Sequence, residues 1–226
     1  MTTNICFLFA VYQEFDLATR LLDQIKQFYP TADVVCVTDG THDPVFESIC
    51  ELRRAEYIKG EQRKLRQLGG SWIERLYQAA IDNSSADLIV QLDPDSFILR
   101  QFNYFPNADV SGSIVVGNNG YSFLQGGCKL YKRETLRKIL ESGLLQDTEY
   151  AVNSKYYYQR YMPPYLMPGE TPSLQLVATE DHILTNIFTR LNLQVEEWSD
   201  VYCRVREACP DPERYAVIHP VKQLCI

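Results

Sequence analysis

The sequence predicts an α/β domain: a mostly parallel central sheet flanked by helices, with a smaller antiparallel region in its second half. Three observations lead to this. Through the first half, short apolar runs alternate with amphipathic stretches, the rhythm of strand–helix–strand units. The runs are continuously apolar, as strands buried on both faces are. Past the midpoint, short apolar stretches are separated by Gly-rich turns instead. A chain of 226 residues lies within the range of one large domain, so a single domain over 1–226 is expected, with halves at 1–100 and 101–226.

The elements follow in order. Ile5–Val11 has no helical period and reads as a buried strand. Asp16 is placed to cap a helix whose stripe is Leu17, Leu21, Ile25 and Phe28, ending at Pro30. Val34–Thr38 is a second buried strand running into the turn Asp39-Gly40, followed by a short helix over Val45–Arg54 and a strand over Ala55–Ile58. Gly69-Gly70 breaks the chain, and Ser71 is placed to cap a helix over Trp72–Asp82. Leu88–Leu92 is the next buried strand and runs into Asp93-Pro94-Asp95.

In the second half, Asp109–Val116 and Cys128–Tyr131 are apolar stretches, with turns at Asn118-Asn119-Gly120 and Gly126-Gly127 between them. Helices are expected over Arg133–Glu141 and Glu180–Leu191, and a short strand over Tyr215–Ile218. The Tyr- and Pro-rich stretch Gln146–Leu176 has no period, and a loop of that length is usually functional or mobile. Trp72 and Trp198 read as core residues.

Hydrophobic content of 46% beside 23% charged residues is that of an ordinary globular chain able to bury a core without staples. A net charge of -7 argues against a broad nucleic-acid face, which needs clustered Lys and Arg. The seven cysteines form no CxxC pair and sit mostly in apolar segments, so they read as buried reduced thiols. Met1–Asn4 lacks a basic leader, and Ile5–Val11 is too short to span a bilayer. The expectation is a cytoplasmic protein without signal peptide or transmembrane segment.

Asp93-Pro94-Asp95 is the strongest chemical feature. A parallel strand delivers its C-terminal end to the ligand crevice of an open sheet. Two carboxylates one residue apart there can both reach a hard cation, Mg²⁺ or Mn²⁺, that completes its shell with substrate phosphates and water. The alternative is a solvated Asp-Pro turn that merely ends the strand.

With these residues the sequence resembles the GT-A glycosyltransferases, whose N-terminal half is a Rossmann-like sheet ending in an Asp-x-Asp motif. The likeness covers most of the chain, in order: the opening strand with its Val11-Tyr12 loop, Val37-Thr38-Asp39, Asp93-Pro94-Asp95, Gly126-Gly127, Glu180-Asp181 and a late His219. It implies a nucleotide-binding half over 1–100 and an acceptor-side half over 101–226. It also implies sugar transfer from a nucleotide-diphosphate donor to a saccharide or other hydroxyl acceptor. Asp93 would then touch ribose or metal and Asp95 the metal, while Ala10, Tyr12 and Asp39 would hold base and ribose. Asp39-Gly40 also reads as a plain turn.

The resemblance further implies an acceptor-side base at Asp181, with Glu180 second, and a transfer that inverts the anomeric carbon. Acidic residues in a first helical turn also simply complement the helix dipole. His219 would be a further metal ligand, better suited to Mn²⁺ than to Mg²⁺, and Lys222 would offset charge on the departing diphosphate. Gly126 and Gly127 would admit a sugar, or serve close backbone packing. Arg75, one turn into its helix, would reach the nucleotide or lie at the surface. Gly69-Gly70-Ser71 lacks the P-loop pattern and more simply starts a helix. The tyrosines of Gln146–Leu176 suit stacking on sugar faces.

Two other readings stand beside this. A phosphohydrolase of the HAD type also uses Asp-x-Asp at a strand end, but its nucleophile comes early and precedes Thr, whereas Asp95 here is followed by Ser96-Phe97. A catalytically silent nucleotide-sugar-binding module is the non-enzymatic reading.

Overall fold

The computed structural model describes residues 4–60, 69–116, 122–146, 180–204 and 209–219. Its central sheet has seven strands: β1 (Ile5–Val11), β2 (Asp33–Thr38), β3 (Glu56–Ile58), β4 (Leu88–Leu92), β6 (Val110–Val116), β7 (Ser122–Lys132) and β8 (Val195–Glu197). Their order is β3-β2-β1-β4-β7-β6-β8. The first four run parallel, β7 joins β4 antiparallel, and β6 joins β7 antiparallel. The chain moves outward from β1 to β3 and then returns to the other side of β1 as β4. That reversal opens a crevice at the carboxyl ends of β1 and β4, where open α/β sheets bind ligands.

The sheet separates two cores. On one face α1 (Phe15–Phe28) and α2 (Pro44–Leu52) cover Phe7, Phe9, Val34, Cys36, Val90 and Leu92. On the other, α3 (Gly69–Asn83), α4 (Arg133–Glu141) and α5 (Glu180–Arg190) cover Cys6, Leu8, Val35, Val37, Ile89 and Tyr131. Neighbouring residues of β1 thus go to opposite cores, because strand side chains alternate faces. Both faces are covered, which is why these strands read as continuous apolar runs.

A second, three-stranded sheet orders β5 (Phe97–Ile98), β10 (Val217–His219) and β9 (Val201–Cys203) as β5-β10-β9. β5 follows Asp93-Pro94-Asp95 directly, so its pairing with β10 (Ile218 opposite Phe97) brings the chain's late His219 to the end of β4. Trp72 and Trp198 are buried, as expected.

Two expected caps are different. α1 begins at Phe15 with Glu14 at its cap position, which places Asp16 inside the first turn. α3 begins at Gly69, so Ser71 lies inside its first turn and not at the cap position. β5, β8 and β9 had no counterpart in the sequence reading. The expected loop over Gln146–Leu176 lies outside the described residues apart from Gln146, and Lys222 lies outside them too.

Candidate active site

The Asp-x-Asp segment leaves β4 as a tight turn. Ser96 donates its backbone N–H to the Asp93 carbonyl (2.9 Å) and its hydroxyl to the Gly127 carbonyl (2.7 Å), while Asp93 N–H donates to that same carbonyl (3.1 Å). The turn is therefore pinned to β7. Here β7 departs from its ladder with β6: Gly112 faces Lys129, but Ile114 faces Leu124. Gln125, Gly126, Gly127 and Cys128 fill the interval, and Cys128 pairs with Leu92 of β4.

Asp93, Asp95 and His219 converge so that one ligand atom from each lies within 4.8 Å of the others. His219 Nε2 stands 3.3 Å from Asp93 Oδ2 and 2.9 Å from Asp95 Oδ1. Burial alone would lower the histidine pKa, yet the hydrogen bonds to both carboxylates push it up to about 12. Burial likewise opposes charge on Asp93, but His219 outweighs it and holds that carboxyl below its usual range. Two carboxylate oxygens and an imidazole nitrogen are a donor set that fits a divalent first-row cation with further positions open.

The other imidazole nitrogen is held as well. Cys203 Sγ lies 3.2 Å from His219 Nδ1, and its thiol donates to the Gly126 carbonyl. With Nδ1 engaged, Nε2 faces the carboxylates, the arrangement that orients metal-binding histidines. Gly127 makes this possible. Its φ is +104°, and a Cβ there would lie 2.3 Å from the His219 ring and 2.8 Å from Cys203 Sγ.

Glu180 and Asp181 open α5 on the other side of the same glycine pair. A Cβ on Gly126 would meet Asp181 Oδ1 at 2.9 Å. Asp181 Oδ1 accepts from Lys129 Nζ at 2.9 Å. Glu180 Oε1 accepts from Lys129 at 3.3 Å and from Gln91 Nε2 at 2.7 Å. Burial raises the Glu180 pKa, the Asp181 charge adds to that, and Lys129 opposes it.

Ala10 and Tyr12 lie at the carboxyl end of β1, and Asp39 follows β2 with its N–H donated to the Val11 carbonyl (2.8 Å). Asp39 is buried and Gly40 takes φ 78°, so the expected turn forms at the crevice edge. Arg75 of α3 donates to the Lys59 carbonyl (2.5 Å), beyond the end of β3. Lys129, Gln91 and Cys203 were not singled out in the sequence. A Lys and a Gln in the middle of otherwise apolar strands are the signal that marks the first two.

No protein-family model matches the chain, and no characterised protein matches it in sequence. Solved structures do match in fold. The galactosyltransferase LgtC, solved with donor and acceptor sugar analogs, has TM-score 0.58 at 12% identity, over 96% of this chain and 87% of that one. The mannosyltransferase PcManGT of Pyrobaculum calidifontis, solved with GDP-Man and Mn²⁺, has TM-score 0.54 at 13% identity, over 99% of this chain and 59% of that one. The glycosyltransferase GlyE of Streptococcus pneumoniae TIGR4 has TM-score 0.53 at 12% identity, over 88% of this chain. This chain spans about half of GlyE, 46% of its length. At such identities the likeness is one of architecture, and it agrees with the strand order and the crevice: the chain has the GT-A glycosyltransferase fold.

Proposed function

We propose that the chain is a metal-dependent glycosyltransferase that moves a sugar from a nucleotide-diphosphate donor to a saccharide or other hydroxyl acceptor. The observation that carries this is the meeting of Asp93, Asp95 and His219 in the crevice of the sheet, one glycine away from a second acidic pair. Asp93, Asp95 and His219 would hold Mn²⁺ in preference to Mg²⁺, because imidazole nitrogen suits the former. When bound, the cation would offset the charge that develops on the diphosphate as the sugar bond breaks.

The other roles belong to the chain's own side chains. Ala10, Tyr12 and Asp39 line the edge where base and ribose would lie, with Arg75 and Lys222 as further groups for the nucleotide. Gly126 and Gly127 would lie beside the sugar, and the space they leave lets Asp181 and His219 close in on either side. The acceptor proton goes to the Glu180–Asp181 pair, with inversion at the anomeric carbon. The raised pKa of Glu180 favours a base at neutral pH. The buried free thiols fit a reducing compartment such as the cytoplasm. No helix among the described residues is long and apolar enough to cross a membrane.

A thermal-shift screen of nucleoside diphosphates and their sugars, with and without Mn²⁺, tests the reading, because a ligand that binds only the folded state raises the melting temperature. A metal-dependent rise is expected for one nucleotide, and it should disappear in Asp95→Ala and His219→Ala. Binding of normal strength in Asp95→Ala without any metal would overturn the metal site. Hydrolysis of an aryl phosphate without nucleotide binding would favour a phosphohydrolase instead.

A further inference from the structure

Lys129 lies in the middle of β7, opposite Gln91 of β4, with Cys128 and Leu130 on either side in the chain. Only 1% of it is exposed. Lysine is almost never this buried unless it is paired. Its Nζ reaches Asp181 Oδ1 at 2.9 Å and Glu180 Oε1 at 3.3 Å. Gln91 adds a bond to Glu180 Oε1 (2.7 Å), and the Tyr77 hydroxyl bonds both Gln91 (3.4 Å) and Tyr131 (2.7 Å) beneath them. Burial disfavours the lysine charge, yet Asp181 and Glu180 raise its pKa well above the ordinary lysine value.

A buried charge of this kind is poor evidence for stability, since an apolar side chain fills such a site as well or better. Its effect on the neighbours is specific. Two carboxylates that share one cation repel each other, and without the cation the pair binds a proton more readily. Among the described residues, the groups facing the pair are Lys129 and Tyr131 from β7, Tyr77 from α3, Asp93 at the end of β4 and Cys203 from β9. Of these, Lys129 brings the positive charge.

We propose that Lys129 is a positioning residue for sugar transfer: it holds both carboxylates of the Glu180–Asp181 pair from beneath and draws Asp181 against Gly126, beside the metal ligands. This rests on the glycosyltransferase reading of the site. Lys129 itself touches neither nucleotide nor sugar, so its removal alters turnover and its pH dependence rather than donor binding.

The test compares the wild type with Lys129→Met and Lys129→Arg. Activity is read as Mn²⁺-dependent hydrolysis of a panel of UDP-, GDP- and dTDP-sugars. In Lys129→Met, turnover at neutral pH falls by roughly 10-fold or more. It then recovers as pH rises, because the pair must first lose the proton it has taken up. KM for the donor is unchanged, and Lys129→Arg restores the wild-type pH profile. Parallel profiles for wild type and Lys129→Met would overturn the role of Lys129. Absence of turnover by the wild type on the whole panel would instead overturn the enzymatic reading itself.

A second measurement needs no turnover. A carboxyl whose folded pKa is raised contributes stability at low pH that is lost as pH rises. The melting-temperature gap between wild type and Lys129→Met should therefore widen between about pH 5 and about pH 8. In Lys129→Met/Asp181→Asn, which carries one charge fewer, that widening should vanish. A gap independent of pH would make Lys129 a packing residue and overturn the proposal. If Lys129→Met does not fold, Lys129→Gln, which keeps a polar group in the site without the charge, takes its place in both measurements.

Discussion

Asp181 illustrates how a single side chain's role depends on what lies beneath it. On an exposed helix start, Asp181→Asn would cost at most about 1 kcal/mol of dipole compensation. Here its Oδ1 accepts from a lysine that is itself buried, and removing the charge leaves that lysine less well paired. A loss on the order of 1–3 kcal/mol is the better expectation, with Glu180 still in place to limit it. If the pair takes the acceptor proton, transfer per folded molecule also falls by roughly 10²–10⁴ in Asp181→Asn or in Glu180→Gln, and the larger drop identifies the base. Single-turnover transfer corrected for the folded fraction measures this. Intact transfer in both variants would move the base elsewhere or require a mechanism without one. Asp93 and Asp95 were legible as candidates because paired carboxylates at a strand end carry their metal chemistry with them, and His219 only through the resemblance that implied a late histidine ligand. Lys129 and Cys203 were not, because their parts depend on neighbours at 2.9 Å and 3.2 Å that lie far off in the chain.

Among the elements, the buried strands of the first half and the amphipathic helices matched the sequence reading closely, whereas β7 did not: it runs from Ser122 to Lys132, straight through the Gly126-Gly127 pair expected as a turn, because its pairing with β4 and β6 continues on either side of the glycines. Ile5–Val11, Leu88–Leu92 and Arg133–Glu141 have the expected bounds. Such segments declare themselves through burial of a whole strand or of one helical stripe. β5, β8 and β9 did not: strands of two or three residues carry no period, and β3 and β10, equally short, were read only because each ends a short, mostly apolar run. Val195, Glu196 and Glu197 of β8 are exposed and give no apolar signal at all. Caps followed the same division. Asp43 caps α2 by accepting from the Phe46 N–H at 2.8 Å, with Pro44 in the first turn. Asp43→Ala should lower stability by about 0.5–2 kcal/mol in a denaturant titration, without changing nucleotide binding. Asp16→Ala, although the residue resembles a cap in sequence, should do less, because no backbone N–H depends on it for capping.

For the molecule as a whole, the two cores give a linkage to pH that no single element shows. Burial pushes the Cys6 thiol from the ordinary 9.0 up to about 12, and burial raises Cys36, Cys128 and Cys203 as well. A group whose folded pKa is raised keeps its proton while the unfolded chain releases it. The stability it contributes is complete below the unfolded pKa and is lost as pH rises towards the folded one. For Cys6 that window runs from 9.0 to about 12. The slope is at most about 1.4 kcal/mol per pH unit for each thiol. Alkaline unfolding should accordingly set in above about pH 9, and Cys6→Ala should be less stable at neutral pH but lose stability less steeply. Melting curves from pH 8 to about pH 10.5 measure both slopes, and equal slopes would remove Cys6 from the account.

The sequence by itself determined the layers of this protein and the end of the sheet at which its candidate site sits. Apolar run length separates strands buried on both faces from amphipathic helices, and a parallel strand carries whatever follows it to the crevice. Only the tertiary structure decided which distant residues share that crevice. β10 had to pair with β5 before His219 could reach Asp93 and Asp95, and β7 had to leave its ladder before Gly126 and Gly127 could separate two acidic clusters. Local patterning encodes burial, whereas these meetings depend on pairings between strands far apart in the chain, whose partners no local pattern names.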